Sequence, residues 1–175
     1  MTGKRFDVAV DVAAMGARRV GGMLVIGVGN PYRGDDGVGP AVARVVADLA
    51  PEAVAVIEHS GEGAGLVEMW TGMDTVILVD AVSSGGTPGT VHRFDARETP
   101  IPVGLFHHSS HAFGVAEAVE LARAVGRLPP RLIVYGVVGE RFASGSGLTG
   151  AVEGVVEEVV ERIVLDVQAA ARWTG

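Results

Sequence analysis

Two adjacent carboxylates, Asp35 and Asp36, stand in the stretch GVGNPYRGDDGVG, residues 27–39, directly after the apolar run MLVI. A third, Asp80, closes the apolar run VILVD. His107, His108 and His111 crowd into FHHSSHAFG. Two carboxylates and an imidazole make a mixed oxygen and nitrogen donor set, suited to a divalent transition metal with open coordination positions. Each residue also has a simpler reading. Acidic residues are favoured in the first turn of a helix, so one of the Asp pair is expected to cap or brace and the other to face a cleft. An Asp that ends a buried strand commonly accepts from loop amides. His111 reads equally as a first-turn residue after Ser109 or Ser110 as N-cap. His107 and His111 need not share a helical face, because the helix is expected to begin near Ser110.

Other chemistries are excluded or weak. A G-x-G-x-x-G dinucleotide fingerprint needs glycine where Tyr32 stands, and the acidic pair would repel a pyrophosphate at a helix N-terminus. The chain has neither H-E-x-x-H nor G-x-S-x-G. With no cysteine, it has no disulfide, no thiolate site and no Cys nucleophile. Ser83, Ser84, Ser109, Ser110, Ser144 and Ser146 read as loop braces. His59 and Glu62, in EHSGEGAG, end another apolar run and either line the same cleft or stand as surface loop residues.

The elements that must position these residues alternate along the chain. Met23–Val28 reads as a strand and Gly37–Leu49 as a helix, with Val38, Val42, Val45, Val46 and Leu49 at helical spacing. Strands are expected over Ala53–Glu58, Thr75–Val79 and Arg131–Val138, and an edge strand over Thr90–Phe94. Helices are expected over Gly65–Trp70, Ala112–Val125 and Gly150–Arg172, the last with Val152, Val155, Val156, Val159, Val160, Ile163, Val164 and Val167 inward. A long loop spans Asp95–Ser110, and a glycine- and serine-rich loop spans Gly139–Gly147. The pattern is α/β and predicts a three-layer sandwich, with the site outside the carboxyl ends of the parallel strands.

Composition agrees. Of 175 residues, 48% are hydrophobic. The mean hydropathy is +0.36, as for a core covered on both sides of a sheet. No run approaches the roughly 20 apolar residues that span a bilayer. A net charge of −7 argues against nucleic acid as a partner. Residues 1–22 do not read as a signal peptide, since Asp7 and Asp11 interrupt their apolar part. They are read as an N-terminal extension of weak order or a short helix, and 23–175 as a single α/β domain. A cytoplasmic location follows by default.

GVGNPYRGDDGVG, VILVDAV, SSHAFGVAEAVELA and VYGVVGE…GLT occur in that order across Met23–Val167. Together they resemble the [NiFe]-hydrogenase maturation endopeptidases. The resemblance implies an aspartyl-type endopeptidase that removes a C-terminal extension from a hydrogenase large-subunit precursor after nickel insertion. It implies a five-stranded, mostly parallel sheet with one antiparallel edge strand and helices on both faces. By position it makes Asp36, Asp80 and His111 the catalytic and metal-binding residues. The nickel is carried by the substrate, and no tightly bound intrinsic cofactor is expected. The implied partner is the precursor, and the implied state is a monomer. Where many members have D-G-G-T-x-G, this chain has Ser60-Gly-Glu-Gly-Ala-Gly65. A generic divalent-metal hydrolase and a non-catalytic assembly or metal-sensing module are the alternative readings.

Overall fold

The computed structural model describes residues 22–106, 113–145 and 147–172. The expectations for residues 1–21, and for His107, His108 and His111, fall outside the described residues.

Five strands form one sheet: β1 (Met23–Val28), β2 (Val54–His59), β3 (Thr75–Val82), β4 (Val91–Asp95) and β5 (Arg131–Val138). Their order is β2-β1-β3-β5-β4. All pairs are parallel except β4 with β5. Connection length explains the exception, because a parallel return needs a crossover of a dozen or more residues. Segment 83–90 is too short for one. It turns through the positive-φ glycines Gly85 and Gly89 and re-enters beside the end of β5.

The helices are α1 (Val38–Leu49), α2 (Gly63–Trp70), α3 (Val115–Ala124), α4 (Gly150–Glu153) and α5 (Val156–Ala171). Strand alternation sends Leu24, Ile26, Val76, Leu78, Leu132 and Val134 into one core with Leu66 and Trp70 of α2 and Val119 of α3. Val25, Ile77, Val79, Ile133 and Tyr135 face the other way, against Val42 and Val46 of α1 and Val159 and Ile163 of α5. Both sheet faces are therefore dry, and each fully buried aliphatic side chain contributes about 1.5–3 kcal/mol. Among the described residues no helix is long and apolar enough to cross a membrane.

Three element expectations need correction. Strand β3 runs on to Val82, with Asp80, Ala81 and Val82 in register with Gly136, Val137 and Val138. Asp80 thus lies inside the strand and does not end it. The expected helix 150–172 breaks at Gly154 and Val155, where Val155 N–H turns back to Val152 and not to residue 151. Glycine is a weak helix former, and the valine periodicity runs across the break and conceals it. Helix α3 begins only after Gly114, whose N–H donates to the Glu117 carboxylate. Glu120 accepts from Ile101 N–H, and Arg123 pairs with Glu120 and donates to the Ala96 carbonyl, so both hold the segment after β4.

On the α5 face, Asp166 gathers the edge of the sheet. Its carboxylate accepts from Arg93 at 2.7 and 3.0 Å, from Arg131 at 3.1 Å and from the Tyr135 hydroxyl at 2.6 Å. Burial works against its charge, but the Arg93 and Tyr135 hydrogen bonds, with Arg93 and Arg131 beside it, outweigh burial and hold the carboxyl below its usual range.

Candidate active site at the β1–β3 switch point

Chain direction reverses between β1 and β3. From β1 the chain moves outward to β2, then crosses back to β3 on the other side of β1. Open α/β sheets form their ligand crevice at this point, beyond the carboxyl ends of the strands. Asp36 follows β1 and Asp80 lies near the end of β3, so the fold brings both to the crevice.

Close backbone packing sets the first loop. A Cβ on Gly39 would fall 2.1 Å from the Val28 carbonyl oxygen and 2.5 Å from that of Val79, so only glycine lets α1 start directly on β1 and β3. Gly29 has φ +133, and a Cβ there would fall 1.9 Å from the Asp36 carbonyl oxygen. Between them lies a 3-10 turn, Gly34–Gly37, which carries both aspartates.

The two aspartates part ways in this turn. Asp35 is fully buried. It accepts from the backbone N–H of Glu140 at 2.8 Å, Arg141 at 3.0 Å and Thr149 at 2.7 Å, and from the Thr149 hydroxyl at 3.0 Å. Burial disfavours its charge, yet these donors outweigh burial and keep the carboxyl below its usual range. Asp35 is therefore a brace between two loops. It is not an N-cap of α1, which has no side-chain cap. Asp36 is half-buried and accepts Asn30 N–H at 2.9 Å. The expected brace of the pair is therefore Asp35.

Asp80 is 4% exposed. Alternation along β3 places it on the α2/α3 face, between Leu78 and Val82. Burial, reinforced by repulsion from Asp36 and only partly opposed by the Ala81 N–H, pushes its carboxyl well above the usual range. The 3-10 turn that carries Asp36 packs against β3, which brings Asp36 near Asp80. A cation held between them would offset both the burial and the repulsion. Among the described residues no group of three His, Asp or Glu side chains could hold a metal ion. His111, the third expected donor, lies outside them, as do His107 and His108. The described neighbours on either side of 107–112 lie at the same rim. Ser83, just past β3, donates to the Leu105 carbonyl, and the Phe113 carbonyl accepts from Gly63 at the start of α2.

His59 and Glu62 lie at the turn from β2 into α2. Glu62 caps α2, accepting from Ala64 and Gly65 N–H at 2.9 Å each. His59 Nδ1 accepts from Gly61 N–H at 3.0 Å. Both shape the turn from β2 into α2. Sequence reasoning passed over Thr149, whose two donors complete the Asp35 brace. Its signal was available in Gly-Leu-Thr-Gly, where a threonine precedes a helical turn.

A family model described as "Hydrogenase maturation protease" matches residues 41–166, a span that includes Asp80 and His111. The chain is 30% identical over 158 residues to the "Hydrogenase 2 maturation protease" of Escherichia coli (strain K12), covering 87% of this chain and 92% of that protein. It is 29% identical over 145 residues to the "Hydrogenase expression/formation protein HupD" of Rhizobium leguminosarum bv. viciae, covering 81% of this chain and 72% of the relative. Among solved structures it superposes on the hydrogenase maturating endopeptidase HybD from E. coli with a TM-score of 0.73 and 26% identity, covering 85% of this chain and 93% of that one. The [NiFe] hydrogenase maturation protease HybD from Thermococcus kodakarensis shares the fold, with a TM-score of 0.63 at 22% identity, over 83% of this chain and 98% of that one.

Proposed function

The chain belongs to the hydrogenase maturation protease family, and from that premise we propose that Asp36, Asp80 and His111 are the residues with which it processes a [NiFe]-hydrogenase large-subunit precursor. The reaction is hydrolysis of one peptide bond. Water adds across the scissile C–N bond, leaving a carboxylate on the mature subunit and an amine on the released C-terminal extension.

The observation that carries this reading is the coupled pair of carboxylates, Asp36 and Asp80, at the switch point. Without a cation the ionised pair is under electrostatic strain, since burial and Asp36 both disfavour the charged form of Asp80. A substrate that arrives with its own divalent cation relieves that strain, whereas a substrate without one does not. The site thereby favours a precursor already loaded with nickel. Asp36 and Asp80 would hold that nickel with His111, and the ion supplies Lewis acidity and a fixed position for the tail beside it. The Asp35 brace ties the Asp36 loop to the segment after β5. The proposal includes a monomeric enzyme acting in the cytoplasm, where a chain without cysteines has no need of an oxidising compartment.

The experiment is incubation of the purified protein with nickel-loaded precursor, followed by mass spectrometry of the subunit and the released tail. Loss of a single C-terminal peptide is the expected outcome. An intact precursor bound to the protein would instead support an assembly role, and turnover of unrelated peptides with added Zn²⁺ would support a general metal hydrolase.

A further inference from the structure

Tyr32 stands out on the loop that carries Asp36. It is 75% exposed, the most exposed large hydrophobic side chain among the described residues. Leu49 and Leu165 come next at 61% and 64%, but they lie toward the far ends of α1 and α5, where scattered apolar residues are ordinary.

Tyr32 differs because it shares one hydrogen-bonded loop with Asp36. Its N–H donates to the Asn30 side chain at 2.9 Å, and its carbonyl accepts from Gly145 N–H at 2.9 Å. Arg33 N–H returns to the Asn30 carbonyl at 3.1 Å, and Gly34 N–H donates to Gly145 at 2.9 Å. Asn30 is itself tied to the Asp36 carboxylate. The same hydrogen bonds therefore set the positions of Tyr32 and Asp36. Nearby, Arg44 and Glu58 form a bidentate pair at 2.8 and 2.9 Å.

An aromatic ring left in water on a fixed loop does nothing for the fold. It loses the favourable burial that the same ring would gain in the core. Interface anchors share these properties: Tyr is enriched among them, and a pre-ordered loop loses little entropy on binding. We propose that Tyr32 is a substrate anchor, packing its ring against an apolar patch of the large-subunit precursor beside the bond to be cut. The proposal rests on the processing function above. It concerns recognition and not the bond-breaking step, since Tyr32 lies outside the carboxylate pair.

The test compares wild type, Tyr32→Ala and Tyr32→Phe with nickel-loaded precursor, reading KM, kcat and the dissociation constant of the complex. Tyr32→Ala is expected to raise KM and the dissociation constant about ten-fold, with kcat within about two-fold and an unchanged thermal midpoint. Tyr32→Phe keeps the ring and should match wild type. An Ala variant with unchanged affinity overturns the inference, and so does one whose loss falls wholly on kcat. If wild type binds the precursor without cutting it, the processing function fails while the affinity comparison still decides the role of Tyr32. If wild type does not bind the precursor at all, both are overturned.

Discussion

Thr149 meets Asp35 with two donors, its backbone N–H at 2.7 Å and its hydroxyl at 3.0 Å. This contact joins the loop after β1 to the loop after β5, across the strand β3 that carries Asp80. The candidate site is thus built on a clamp whose two halves lie at opposite ends of the chain.

The clamp predicts that adjacent aspartates respond in opposite ways. Asp35→Asn places an amide among amide donors and should lower unfolding stability by about 1–3 kcal/mol, measured by urea denaturation. Asp36→Asn should leave stability within about 0.5 kcal/mol of wild type and abolish processing. A stable, active Asp35→Asn variant beside an unstable Asp36→Asn variant would reverse the assignment.

Metal binding checks the donor set directly. Calorimetry should find weak binding of Ni²⁺ or Zn²⁺ by the isolated protein, as suits three protein donors. Asp36→Ala, Asp80→Ala and His111→Ala should each weaken it on the order of ten-fold or more. Undiminished binding in all three variants would place the metal elsewhere.

Nickel in the substrate should govern the rate. Nickel-loaded precursor is expected to be processed on the order of 100-fold faster, or more, than apo precursor under strict chelation, since Lewis-acid stabilisation is worth several kcal/mol. A zinc-loaded precursor separates geometric recognition from nickel chemistry. Equal tail release from the apo form would indicate a metal-independent peptidase.

Asp80 should trade stability for function. Its folded pKa is raised, so the folded state binds its proton more tightly than the unfolded chain does. This group therefore costs stability as pH rises above the ordinary Asp value of about 3.9. Asp80→Asn removes that cost and should raise the thermal midpoint at pH 7 while abolishing processing. The gain should shrink toward pH 4. A lower midpoint at neutral pH would mean that the charge is compensated in a way this structure does not provide.

Asp166 has the opposite sign. Its folded pKa is depressed, so its stabilisation is present above the ordinary Asp value of about 3.9 and disappears as pH falls through the folded value. Asp166→Asn should therefore destabilise at pH 7 and converge on wild type in strong acid. The readout is the midpoint of thermal unfolding between pH 2 and pH 7, the range over which wild type and variant are compared.

Sequence alone determined the α/β class, because apolar runs at strand length and valines at helical spacing need nothing beyond local periodicity and burial. It determined the edge position of β4 from its alternating side chains, and it marked Asp35, Asp36 and Asp80 by placing charge against apolar runs. Tertiary structure decided what those charges do. Which aspartate braces depends on amides from Glu140, Arg141 and Thr149, more than a hundred residues along the chain. Whether Asp80 ends its strand depends on Gly136 to Val138 pairing beside it. The break at Gly154 was hidden because valines continue on either side of it, and the capping role of Glu62 because a glutamate near a glycine turn also reads as a surface loop. Hydrophobic period is a property of neighbours in sequence. Hydrogen-bond partners and desolvation are properties of neighbours in space, and only the fold supplies those.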